Sequence, residues 1–259
     1  MIFSMNRCFS LLAVFALFAG TARAETLKSA FAETHPFDPQ GTIRLSNTNG
    51  SVTIRTWDRP EVRVEGEKRA SDQETLDGLV VAIAATPQLL AIKTTHPVRS
   101  GRWFSWLWNW GRREQVEFVL TVPATVRLDD INTVNARVTI DGVQGPVEAG
   151  TVNGELRLTG LRSDAKLSTV NGSIRAEFAA VAPQSRLSFR TVNGAVTVAL
   201  PAGAGAALDI STVNGGISCD FPIPVKKSGG HHLSGPIGDG SASLKISTVN
   251  GGVKVVQGK

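Results

Sequence analysis

The chain has 259 residues, a formal charge of +5, 26 glycines and only two cysteines. A charge this mild does not call for a nucleic-acid partner, and so few cysteines exclude a disulfide-built fold. Valine, isoleucine and threonine recur in alternating runs, so the composition reads as β structure.

Residues 1–24 read as a secretory signal peptide: Arg7, an apolar run from Phe9 to Gly20, then "TARA" with Ala22 and Ala24 at the cleavage spacing. An uncleaved anchor is the competing reading, but the run is short for a membrane span. Cys8 precedes the apolar run, which argues against a lipoprotein anchor. Cleavage would remove Arg7 and Arg23, leave a charge of +3 and leave Cys219 as the sole cysteine. The expected location is the periplasm or the cell exterior.

After the signal, strands are expected at 42–46, 51–56, 61–66, 79–84, 89–94 and 116–122. One short helix is expected over 71–79, with Ser71 as N-cap and Glu74 completing a capping box. The stretch "RSGRWFSWLWNWGRRE" at 99–114 interrupts two of these strands. It holds four of the five tryptophans, Trp103, Trp106, Trp108 and Trp110, beside Arg102, Arg112 and Arg113. Tryptophan and arginine favour binding hot spots and membrane interfaces. The segment either contacts a membrane surface or partner, stacks on a glycan, or folds back to cap a solenoid end.

The remainder of the chain repeats one phrase. "STVNG" occurs at 168–172, 211–215 and 247–251, with variants at 150–154, 190–194, 132–136 and 47–50. Aligned on Asn49, Asn135, Asn153, Asn171, Asn193, Asn214 and Asn250, the spacings are 86, 18, 18, 22, 21 and 36. A period near 20 marks a repeat architecture. Four residues before each asparagine stands Leu45, Ile131, Ala149, Leu167, Phe189, Ile210 or Ile246; apolar residues return three and five residues after it. Each flank has period 2, but the flanks are out of phase, so the chain turns a corner at Val-Asn-Gly. Glycine is expected there for a positive φ.

Asn-Gly between alternating strands also suits a hairpin, and seven hairpins would give a sandwich or barrel. The favoured reading is a single all-β domain over 25–259. It is a β-solenoid of about 18–22 residues per coil whose Asn-Gly corners stack and whose asparagines form a ladder. Residues 37–122 would form irregular coils and 123–259 the regular ones. Residues 226–241 read as a glycine-rich loop and part of a coil without a corner.

"WDRPEVRVEGEKRA" at 57–70, the TVNG units, and "GPIGDGSASLKISTVNGGVKV" at 235–255 together resemble the bacterial DUF4097 family. The resemblance covers roughly residues 37–259. It implies a β-strand-repeat, solenoid-like and often exported domain, without established catalytic residues. The family's adhesin label is itself an inference from shape.

No cofactor or metal motif is legible. His231 and His232 lack further ligands at metal spacing, and Cys219 falls in the buried column five after the asparagine. The outward column five before it reads Arg44, Asp130, Glu148, Lys166, Ser188, Asp209, Lys245. Asp130 and Glu148 one coil apart would suit a polysaccharide-acting β-helix enzyme; a solvated charge column looks the same. The favoured function is therefore a non-catalytic, adhesin-like scaffold that meets an envelope protein, a membrane surface or a glycan. The valine before each asparagine could face either way: outward as an apolar rib, or inward with threonine turned out.

Overall fold

The computed structural model describes residues 26–95, 114–224 and 227–258. The two-residue periodicity on either side of each asparagine becomes two sheets. The chain crosses an upstream sheet, turns the corner and crosses a downstream sheet. Five regular coils have this form: β8 (Arg127–Asn132) with β9 (Val138–Asp141), β10 (Val147–Asn153) with β11 (Leu156–Leu161), β12 (Ala165–Asn171) with β13 (Ile174–Phe178), β14 (Arg186–Arg190) with β15 (Val196–Leu200), and β20 (Ala242–Asn250) with β21 (Val253–Gln257). Two more coils are β2 (Thr42–Ser46) with β3 (Val52–Trp57), and β16 (Ala206–Asn214) with β17 (Ile217–Cys219). Equivalent strands pair in parallel and in register, for example Leu156 with Ile174 and Ile174 with Val196. The fold is a β-solenoid with two strands per coil.

Chain order and stacking order part at both ends. The last coil, β20–β21, does not close the stack. It sits between β14–β15 and β16–β17, parallel to both. At the other end, β6 (Leu89–Thr95) pairs with β2 and β7 (Gln115–Pro123) pairs with β3, which places one more coil outside the first. The spacing of 86 therefore hides one coil rather than several irregular ones. Among the described residues, antiparallel strands cap that end, two from within the interval and one from before it. β1 (Leu27–Pro36) and β4 (Glu61–Ala70) extend the downstream sheet beyond β7, and β5 (Val80–Ala85) lies against β6. β1 was not legible because its residues are mostly exposed and carry little alternation.

Residues 226–241 are not a partial coil. β18 (Lys227–Gly229) and β19 (His232–Ile237) run antiparallel, and β19 covers the open edge of β16. Antiparallel strands thus end the parallel stack on the upstream sheet at both ends. This is how an open solenoid edge is blunted. The short helix α1 (Gln73–Gly78) also differs from expectation. Its N-cap is Asp72, whose carboxylate accepts from the Thr75 N–H at 2.8 Å, so the cap lies one residue later than Ser71.

The core is one continuous cluster from Phe37 to Val255. The column four before the asparagine is fully buried, Ala149 included. The columns three and five after it are buried in every coil but one: Ile217 and Cys219 are only half-buried. They lie on β17, the outermost downstream strand, where no further coil covers them. Burial still pushes the Cys219 thiol above its ordinary range.

Candidate functional site

The repeated corner runs along the stack from Asn49 to Asn214, and its four residues divide the work. Each asparagine Nδ2 donates to Oδ1 of the neighbouring asparagine: Asn135 to Asn49, Asn153 to Asn135, Asn171 to Asn153 and Asn193 to Asn171, at 2.8–2.9 Å. The ladder then jumps in sequence. Asn250 donates to Asn193 at 2.7 Å, and Asn214 to Asn250 at 2.8 Å. All six bonds point one way, so each strengthens its neighbours by polarisation. Each amide keeps a second N–H and a second lone pair for solvent or a ligand.

Glycine follows the asparagine for a reason other than φ. Only Gly50 of this column lies in the left-handed region, at φ +110°. At Gly154, Gly172, Gly194, Gly251 and Gly215, an added Cβ would sit 1.7–2.0 Å from the corner carbonyl oxygen of the adjacent coil. No side chain fits there, so the glycines permit close stacking. Gly50 is the exception, and its spatial neighbour is the column's one alanine, Ala136.

The threonine two before each asparagine is buried, and the valine between them is exposed. Thr169 Oγ1 donates to the Gly154 carbonyl at 3.3 Å, Thr191 to Gly172 at 3.1 Å, Thr248 to Gly194 at 3.1 Å and Thr212 to Gly251 at 3.0 Å. Turned out beside them, Val134, Val152, Val170, Val192 and Val249 are 38–41% exposed, and Val213 at the end of the row is 59% exposed. The valines therefore form an outward apolar rib beside the amide ladder. Neighbouring valines are about 4.8 Å apart, the strand spacing.

The first corner is built differently. Asn47 holds the place of the threonine and is buried. Its Nδ2 lies 3.2 Å from the Asn49 carbonyl, 3.1 Å from that of Gly50 and 2.9 Å from that of Val116. It thereby ties the start of β7 to the corner, where Val116 N–H also donates to the Asn49 carbonyl. Asn47 stands outside the repeated phrase. The signal was present, since "SNTNG" carries asparagine where the other copies carry threonine.

Arg102, Trp103, Trp106, Trp108, Trp110, Arg112 and Arg113 lie outside the described residues. Their flanks do not. β6 ends at Thr95 on the upstream sheet and β7 begins at Gln115 on the downstream sheet, so the two flanks lie on different sheets, both at the Asn49 end of the ladder and rib.

In the charged column Asp130 and Glu148 fall on neighbouring strands, but each is engaged by another partner. A bulge in β8 sets both Asp129 and Asp130 opposite Glu148, and Asp130 takes φ +66° and accepts from Asn132 Nδ2. Arg44 pairs with Asp129 at 2.8 Å, Lys166 with Glu148 at 2.6 Å and Lys245 with Asp209 at 3.8 Å. This is a column of solvated ion pairs, each worth about 1 kcal/mol or less. His231 Nδ1 lies 3.2 Å from the Gly215 carbonyl, and His232 pairs with Ser211 across β19 and β16. Among the described residues no group of three or more His, Cys, Asp or Glu side chains could hold a metal ion.

No curated protein matches this sequence. Among solved structures, it is similar to a proposed cell adhesion protein from Clostridium sporogenes, at 12% identity and TM-score 0.49, over 89% of this chain and 100% of that one. It is also similar to a proposed adhesin from Bacteroides fragilis, at 9% identity and TM-score 0.42, over 88% of this chain and 97% of that one. The family described as Toastrack DUF4097 matches residues 119–256, just over half of the chain and all of its regular coils. With the two-sheet solenoid and its stacked Asn-Gly corners, that match makes the protein a member of the DUF4097 Toastrack family.

Proposed function

We propose that the protein is an exported, non-catalytic, adhesin-like scaffold that presents a repeated surface to a partner in the cell envelope. The observation that carries this reading is the rib of six exposed valines beside the asparagine ladder. It is apolar, straight and shared by every regular coil. Burying such a rib against a partner would release apolar surface from water, whereas its exposure contributes nothing to the fold. Two shallow concave features lie on the downstream sheet, lined by Glu65, Glu67 and Glu117 in one and by Arg157, Arg175 and Glu177 in the other. The carboxylates proposed for a polysaccharide-acting enzyme are engaged elsewhere, so the scaffold is preferred. Export rests on the pattern of residues 1–24 alone.

The Trp-rich segment joins this reading through its flanks, which lie at the Asn49 end of the rib. Its tryptophans and arginines are proposed to extend the same contact surface toward a membrane, an envelope protein or a glycan. The test is co-sedimentation of the mature chain with three probes. They are vesicles of phosphatidylethanolamine and phosphatidylglycerol, purified peptidoglycan sacculi, and an envelope-protein extract. Two variants are compared with wild type: Val152→Ser with Val170→Ser and Val192→Ser, and the four clustered tryptophans changed to alanine. Binding of at least one probe, reduced at least tenfold by a variant with unchanged melting temperature, supports the proposal. Wild-type binding by both variants, or no binding to any probe, rejects it.

A further inference from the structure

The last coil in the chain is an inner coil of the stack. β20–β21 pairs with β14–β15 on one side and with β16–β17 on the other. In both sheets it is the link through which β16–β17 joins the parallel stack. Residues 242–257 therefore fill a slot one coil wide, with β14 and β16 about 9.6 Å apart, two strand spacings.

The slot is built for a coil of this kind. Ala242, Leu244, Ile246, Thr248, Val253 and Val255 fill it and are at most 4% exposed. At the corner, Asn250 donates to Asn193 and accepts from Asn214. Thr248 Oγ1 donates to the Gly194 carbonyl, and the Gly251 carbonyl accepts from Thr212 Oγ1. None of these contacts depends on which copy of the chain supplies the coil.

The connection into the slot is short and has a hinge's composition. Ile237 on β19 and Ala242 on β20 both pair with Ala206, one on each side. The four residues between them step across the start of β16, with Gly238 at φ +53° and Gly240 at φ +69°. The crossing is tight, since a Cβ on Gly205 would lie 1.6 Å from Asp239 Oδ1. Straightened, four residues reach about 13 Å, enough to carry the coil outward instead of across. Short, tight hinge loops favour exchange between copies. Chain order adds a second argument. β16–β17 is complete before residue 242, so the last coil enters inside a coil that already exists. A stack with this slot open precedes the closed one, and it admits another copy's coil as readily as its own.

We infer that the slot between β14–β15 and β16–β17 is a docking site for the C-terminal coil of a second copy, and that two copies exchange residues 242–257 to form a swapped dimer. This follows from the stacking order and not from the scaffold function proposed above. The closed and exchanged forms share every contact in the slot and differ at the hinge and in the entropy of association, so concentration selects between them. A short tether gives a chain's own coil an effective concentration in the millimolar range, so exchange belongs to concentrated chains that refold together.

The test uses two single variants, Val192→Cys and Val249→Cys, each with Cys219→Ser. They are mixed, unfolded, refolded together at about 0.5 mM and mildly oxidised. In an exchanged dimer, residue 249 of one copy lies beside residue 192 of the other, as Asn250 lies beside Asn193. A disulfide-linked heterodimer is expected. The pair Val134→Cys and Val249→Cys, four coils apart on the ladder, should give at least tenfold less. Gly238→Ala with Gly240→Ala penalises the folded hinge alone and should raise the dimer fraction in sedimentation at least tenfold at low occupancy. Chains that stay monomeric after this refolding, with or without the hinge alanines, overturn the inference, as does cross-linking at residue 134 equal to that at residue 192.

Discussion

From Asn153 onward, a corner is closed by a threonine hydroxyl that reaches the adjacent coil and a glycine that lets the coil approach. At Asn49 the same turn is closed by the Asn47 amide, with Gly50 twisted to φ +110° and its carbonyl drawn to Asn47. One half of the molecule is a copied device that tolerates no side chain at its contact point. The other is a single-use joint that fastens a strand arriving from a long interruption. The copied device extends a stack indefinitely; the joint starts one.

The contrast is sharpest at glycine. Gly172→Ala would place a methyl 1.8 Å from the Gly154 carbonyl oxygen, so it should cost about 4 kcal/mol or more, with a shortened or lost cooperative transition in thermal denaturation. Gly216→Ala, one residue past a corner and with nothing within 4 Å, should be neutral or stabilise by up to about 1 kcal/mol. Equal effects of the two would mean that turn flexibility and not close stacking selects the glycine.

Asn47→Ala comes next. It removes the amide donor from the buried contacts with the Gly50 and Val116 carbonyls, while the Asn49 carbonyl keeps the Val116 N–H, at a cost of about 2–3 kcal/mol by urea unfolding. Asn171→Ala removes two ladder bonds and should cost about 1–2 kcal/mol, whereas Asn214→Ala, at the ladder's end, removes one and should cost about half as much. A ladder without energetic weight would give the same small value at both positions.

The smallest expected effect is at the turn into the last coil. Hydrogen bonds from the Ser241 side chain and backbone hold the Asp239 carboxyl below its ordinary value of 3.8. A lowered folded pKa stabilises fully above the unfolded value and loses that contribution as pH falls through the folded one. Asp239→Asn should therefore lose a small increment of stability at neutral pH, match wild type well below about pH 4, and so flatten the acid limb of the stability profile.

Much of this architecture was legible in the sequence. The phase break between Leu167 and Ile174 announced a corner, and the period announced stacking, because burial dictates both and burial is written in residue type. The facing of Thr169 and Val170 was not legible, since a strand-end residue of either kind is acceptable on either side; the Gly154 carbonyl decides it. The role of glycine was misread for the same reason: the atom that excludes a Cβ belongs to another coil. Asp130 and Glu148 do fall on neighbouring coils, but a bulge adds Asp129 opposite Glu148 as well, and nothing local to "RLDDIN" declares it. The place of the last coil was hidden as well. "ISTVNGG" occurs in both 210–216 and 246–252, so pattern alone cannot say which of the two lies next to β14.

That ambiguity gives the most direct test of the stacked-corner account. With Cys219→Ser as background, Val192→Cys is paired either with Val249→Cys or with Val213→Cys. The Asn193–Asn250 and Asn214–Asn250 pairings put residues 192 and 249 on adjacent coils and residue 213 one coil further on. Mild oxidation should link 192 to 249, about one strand spacing of 4.8 Å apart, and should not link 192 to 213 at about twice that distance. Efficient 192–213 cross-linking with none at 192–249 would mean that the coils stack in chain order, and would contradict the ladder described here.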